Sequence, residues 1–201
     1  MNKFLNATTQ ESRMPGRVHM QYAHLHETDS FASLSPLGIA TLPEAVRKHR
    51  PKRDSRLRTS RDSHTGQVKA RIVKINLANI HIFNPNEPYD CRISMNLEVN
   101  LNRPGLDYDA LTLHPSEEKE PQPERKKDRL SYTHLLYSVD LTRVDVQGEP
   151  RPKYELELEV QATELRRQMA LQSQGRPDAV ADVVSGFLDN CCFLMKQRPQ
   201  S

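Results

Sequence analysis

The sequence predicts an α+β fold, mainly antiparallel β, in which strands close into a barrel with a polar interior and C-terminal helices packed outside. Three observations carry this. Runs between about Arg56 and Val160 alternate apolar and polar residues with period 2. The polar faces of those runs carry fixed charge of both signs. After Val160 the period changes to that of a helix.

The strands come first. In Cys91–Asn100 (CRISMNLEVN), Ile93, Met95, Leu97 and Val99 point one way, and Arg92, Ser94, Asn96, Glu98 and Asn100 the other. In Tyr154–Val160 (YELELEV), Glu155, Glu157 and Glu159 share one face. Same-face neighbours on a strand sit about 6.7 Å apart. In water their repulsion is tolerable, and by itself the triplet reads as the solvated face of an amphipathic strand. In a confined space it requires cations or protons. Arg56, Arg58 and Ser60 share a face of the run ending at Asp62. Lys127 and Arg129 share a face of Arg125–Arg129, and Asp140 and Thr142 a face of Ser138–Val144. A lone charge run is ordinary surface. Several strands, each with one apolar and one charged face, suit a closed antiparallel barrel packed outside and polar inside. A channel lined by Arg, Lys and Glu suits a polyphosphate with a divalent ion.

The flanks are less regular. Residues 1–50 show no sustained period and are expected to be mostly irregular. The tunnel domain is expected over 51–196, with a polar insert at 102–126, rich in Pro, Glu and Lys, as a mobile surface loop. Thr163 is a candidate cap for a helix through Leu171, with Gly175 as the break. Val180, Val183, Val184, Phe187, Leu188 and Cys191 then form one apolar helix face, with Pro177 in its first turn.

Composition bounds the function only loosely. The chain has 201 residues and no Trp, with 14 Pro and a net charge of +3. That charge permits an anionic partner without demanding one. Three cysteines, two of them adjacent, make neither a disulfide framework nor a zinc pattern, and suit a reducing compartment. No apolar run approaches the roughly 20 residues that span a bilayer, and the N-terminus has no signal-peptide core, so no membrane partner is expected. Lys48–Arg56 (KHRPKRDSR) reads equally as a nuclear address or as a basic lead-in to a strand.

Five segments, in order, resemble the fungal-type mRNA capping enzyme beta subunit family, RNA 5′-triphosphatases of the triphosphate tunnel metalloenzyme class. They are LRTSRDSHTG from Leu57, PYDCRISMNLE from Pro88, ERKKDRLSYTH from Glu124, SVDLTRV from Ser138 and YELELEV from Tyr154. The resemblance spans about Arg56 to Leu194. It implies metal-dependent hydrolysis of the γ-phosphate of 5′-triphosphate RNA, the first step of mRNA capping. The implied cofactor is Mg2+ or Mn2+. The implied partners are the 5′ end of nascent RNA and an mRNA guanylyltransferase, the alpha subunit. A nuclear location is implied and a homodimer is admitted. Carried over by motif, Arg58, Lys127 and Arg129 hold phosphate oxygens, Lys74 and Arg92 line the tunnel, and Arg125 joins the basic wall. Glu159 with Glu157 lies at the metal and Glu155 supports them. Glu98 positions or deprotonates the attacking water, with a wall salt bridge as the competing role. Asp140 and Thr142 orient the basic residues.

One feature of the family has no counterpart in the sequence. The family carries an early strand with two alternate glutamates. Residues 1–55 contain Glu11, Glu27 and Glu44 but no Glu-x-Glu and no apolar strand around any of them. An incomplete barrel lacking its first strand is therefore expected, with weakened metal binding. The alternative function is a truncated or diverged copy that binds RNA or nucleotide without catalysis. An enzyme for inorganic triphosphate or free nucleotides is a third, weaker option.

Overall fold

A computed structural model describes residues 1–49, 55–118 and 120–197. Seven antiparallel strands form one sheet: β1 (Gln21–Ser33), β2 (Arg56–Asp62), β3 (Val68–Ile82), β4 (Cys91–Asn100), β5 (Arg125–His134), β6 (Tyr137–Val146) and β7 (Lys153–Val160). Their order is β4-β3-β2-β1-β5-β6-β7. The sheet curls into a half-barrel whose outermost strands are β4 and β7. As expected, the barrel is incomplete and its exterior carries the C-terminal helices.

The N-terminal expectation is corrected. Residues 1–49 hold a helix α1 (Asn2–Glu11), the 13-residue β1, and two short helices α2 (Pro36–Ala40) and α3 (Glu44–His49). β1 is the central strand, pairing with β2 on one side and β5 on the other. Glu27, around which the sequence shows no apolar strand, lies in its middle. The strand escapes a period-2 reading because one of its faces is Tyr22, His24, His26 and Thr28 and the other turns acidic at Glu27 and Asp29. Of the basic stretch Lys48–Arg56, residues 50–54 lie outside the described residues.

Apolar packing sits on the convex side. Leu57, Val73, Ile75 and Val99 of β2–β4 meet Leu34, Leu42, Val46 and Leu101 in one buried cluster. Tyr108 packs on it from a helix α4 (Tyr108–Leu111) inside the polar insert. That insert is docked: Leu111 is buried, Thr112 bridges Leu34, and the Ser33 amide donates to Glu118 Oε1 at 2.5 Å. Gly38 marks the tightest approach, since a Cβ there would lie 2.1 Å from the Leu111 carbonyl oxygen. Elsewhere α1 covers the convex face at Tyr132, whose hydroxyl lies 2.6 Å from the Asn2 side-chain amide and 2.7 Å from that of Asn6.

Two helices follow the sheet, α5 (Ala162–Ser173) and α6 (Val180–Met195). Thr163 is inside α5; the cap position is Gln161, with no side-chain cap bond. Gly175 takes φ +65° and ends the helix as expected. Pro177 precedes α6 instead of opening it, and Asp178 accepts from the Val180 amide. α6 reaches both ends of the sheet. Tyr137 of β6 donates its hydroxyl to the Val183 carbonyl, and the Cys191 thiol meets that of Cys91, at the start of edge strand β4, at 3.1 Å.

Candidate active site on the concave face

Register decides which side chains share the concave face, because directly paired residues of antiparallel strands project to the same side. Glu155 pairs with Thr142, which pairs with Arg129; Glu157 pairs with Asp140. Arg125 pairs with Asp29, which pairs with Ser60. Lys74 pairs with Glu98. Arg58, Lys127 and Glu159 follow by alternation. One face thus holds every candidate site residue singled out from the sequence. Arg92 lies on it too, exposed, six residues and about 20 Å along β4 from Glu98. It belongs to the rim.

The floor of this face is buried although polar. Asp29 is 1% exposed and Asp140 5%. Lys127 Nζ lies 2.7 Å from Asp29 Oδ2, and Ser60 donates to Oδ1 at 2.5 Å. Burial would raise the Asp29 pKa. The hydrogen bonds of Lys127 and Ser60 and the charges of Lys127 and Arg58 outweigh it and hold the carboxyl below its ordinary range. Arg129 Nη1 lies 3.1 Å from Asp140 Oδ2, and Nη2 lies 4.0 Å from Glu157 Oε2. Asp140 thus holds the Arg129 guanidinium in place. The Arg125 guanidinium stands 5.3 Å over the Phe31 ring, which fixes its place in the wall. Lys74 Nζ pairs with Glu98 Oε1 at 3.1 Å.

The opposite ends of the sheet meet electrostatically at Glu159. Desolvation raises its pKa first; Glu157, Asp140 and Glu98 raise it further and Lys74 opposes them. Glu159 belongs to edge strand β7, whereas Lys74 and Glu98 belong to β3 and edge strand β4. Only a curled sheet brings these charges to bear on one carboxyl. Four carboxylates therefore crowd one region, and their donor set is hard oxygen. In addition, Asp140 Oδ1, Thr142 Oγ1, Arg125 Nε and Arg129 Nε are buried without a hydrogen-bond partner among the described residues. Orphaned polar atoms beside clustered carboxylates fit a site that receives a divalent ion and an anionic ligand.

Asp29 is not among the residues that the sequence pattern singles out. With Glu27 it alternates on the concave face of β1 as Glu-x-Asp, not as the Glu-x-Glu of the family's early strand. The run HETD was the available signal. Asp29 is committed to Lys127 and Ser60, a separate group from the one around Glu159.

Residues 1–200 match the family model described as mRNA capping enzyme, beta chain. The chain belongs to the mRNA capping enzyme beta chain family. It is similar to mRNA-capping enzyme subunit beta of Schizosaccharomyces pombe, 27% identical over 98% of this chain and 58% of that protein. It is also similar to the Candida albicans protein of the same description, 29% identical over 96% of this chain and 34% of that one. The chain thus spans well under two thirds of the length of these relatives. Among solved structures, S. pombe Pct1 RNA triphosphatase in complex with the Spt5 CTD superposes with a TM-score of 0.74. There the identity is 26%, over 98% of this chain and 67% of that chain. The match to the family covers the N-terminal residues as well as the five segments that carry the resemblance.

Proposed function

We propose that this chain hydrolyses the γ-phosphate from 5′-triphosphate RNA, in the first step of mRNA capping. The observation that supports it is the concave face itself. There Arg58, Lys127 and Arg129 stand with Glu98, Glu157 and Glu159 on strands that a flat sheet would keep apart.

In this mechanism Arg58, Lys127 and Arg129 bind phosphate oxygens and stabilise charge gathering on the transferred phosphoryl group. Asp29 and Asp140 fix Lys127 and Arg129 in place, so little reorganisation accompanies binding. Lys74, Arg125 and, at the rim, Arg92 guide the polyphosphate along the groove. Glu159 and Glu157 would hold Mg2+ or Mn2+, with Glu155 in support; the ion when bound supplies Lewis-acid neutralisation of the phosphoryl oxygens. Glu98, released from Lys74 when that lysine turns to phosphate, orients the attacking water and accepts its proton. Thr142 packs beneath Glu155 and Arg129 as their register neighbour.

A second reading has its own support. β1 carries Glu-x-Asp, and its Asp29 is held by a lysine, which leaves the Glu159 group poorer in ligands. On that reading the chain binds triphosphate RNA or nucleotide without turnover. A guanylyltransferase partner, self-association and a nuclear location belong to the proposal through family membership alone.

Phosphate release from triphosphate-ended RNA in Mn2+ separates the readings. Catalysis predicts release that falls at least a hundredfold in Glu159→Ala and in Lys127→Ala, the scale of losing one transition-state contact. Binding of the RNA without any release supports the second reading. Release unchanged in both variants contradicts the assignment of the site.

A further inference from the structure

We propose that the convex face carries a second, separate metal site, formed by His24, His26 and Asp128, for a divalent transition ion of the zinc class. The two histidines lie two residues apart on β1 and so project to the same side. Asp128 of β5 is the direct cross-strand partner of His26. One ligand atom from each of the three residues lies within 4.8 Å of the other two. His24 Nε2 is 2.6 Å and His26 Nδ1 3.7 Å from the same oxygen, Asp128 Oδ1. A tetrahedral ion with bonds of 2.0–2.1 Å holds its ligands about 3.3 Å apart, between those two separations.

The neighbours favour the arrangement. The rings of His24 and His26 lie 4.4 Å apart, centroid to centroid, and His64 meets His26 edge-on at 5.1 Å. Arg143 of β6 lies opposite Asp128 in register, but its guanidinium pairs with Asp145 at 3.2 Å, so Asp128 is left to the histidines. The three side chains are between 38% and 46% exposed, which leaves a coordination position for water or an outside donor.

Two imidazoles and one carboxylate select against Mg2+ and Ca2+, which take oxygen ligands, and suit zinc and its neighbours. The site is distinct from the concave cluster because alternate residues of the same strands, Glu27, Lys127 and Arg129, face the other way. A bound ion would clip β1 to β5 at the middle of the sheet.

The test is titration of the full chain with Zn2+ in excess Mg2+, by calorimetry and by the visible spectrum of bound Co2+. The expected result is one tight equivalent with a tetrahedral cobalt spectrum. It should weaken tenfold or more in His24→Ala and in Asp128→Asn, and persist in Glu159→Gln. Absence of zinc binding, or binding that survives in the His24→Ala/His26→Ala double variant, overturns the proposal. These side chains are exposed, and circular dichroism of each variant confirms that the fold is kept.

Discussion

Lys127 and Asp29 form an ion pair on the concave floor, with the lysine side chain 10% and the aspartate 1% exposed. Removing one charge from such a pair strands the other. Asp29→Asn should therefore cost about 3 kcal/mol in urea unfolding, far more than a surface pair. The same group sets an acid limit. Its folded pKa is lowered, so its stabilisation is full above the unfolded value near 4 and is lost as pH falls through the folded one. Glu159 has the opposite sign. Its folded pKa is raised, so the folded state holds the extra proton, and stability falls as pH climbs from about 4.5 through the folded value. Glu159→Gln should raise the melting temperature of the metal-free chain at pH 7, and added Mn2+ should stabilise the parent more than the variant. An equal Mn2+ effect on both would place the ion elsewhere. None of these energetics was legible in the sequence. It gave the residue types and their common faces, but burial of Asp29 and desolvation of Glu159 depend on how far the sheet curls.

At the scale of elements, strands with one apolar and one charged face were readable, and the inward faces of β2 and β4 to β7 follow from alternation alone. β1 was not readable, because its polar convex face leaves no apolar stripe; pairing on both edges, not its own pattern, makes it a strand. The polar insert is hard to read from sequence for a related reason. Its composition suggests solvent, while Leu111 and Tyr108 anchor it to the core. The β5–β6 hairpin offers a test. Leu135 holds φ +52°, a left-handed conformation costly for a residue with a side chain, and it is 63% exposed. Leu135→Asn should stabilise the protein by about 1 kcal/mol. A lower melting temperature would show that the turn relies on the leucine side chain.

For the whole molecule, the half-barrel places its two edge strands so that α6 spans between them on the outside. The Cys91–Cys191 contact reports that placement. The Cys191 thiol is pushed up to about 12, chiefly by burial and then by Cys91, so it should react slowly with alkylating agents at pH 7. In Cys192→Ser, a dipyridyl disulfide reagent should take up the two thiol electrons and protons and leave an intramolecular Cys91–Cys191 bond, visible by mass spectrometry. Labelling of both thiols without cross-linking would put α6 elsewhere. The fold class and the family were legible because the motif strands also build the barrel wall. The site's division into an Asp29–Lys127 group and a Glu159 group needed the register. The most direct test of the concave channel is thermal stabilisation by inorganic triphosphate with Mn2+. Arg58→Ala and Arg129→Ala should abolish it, while Lys126→Ala, on the opposite face of β5, should keep it. Equal stabilisation of all three would contradict a single channel formed by these strands.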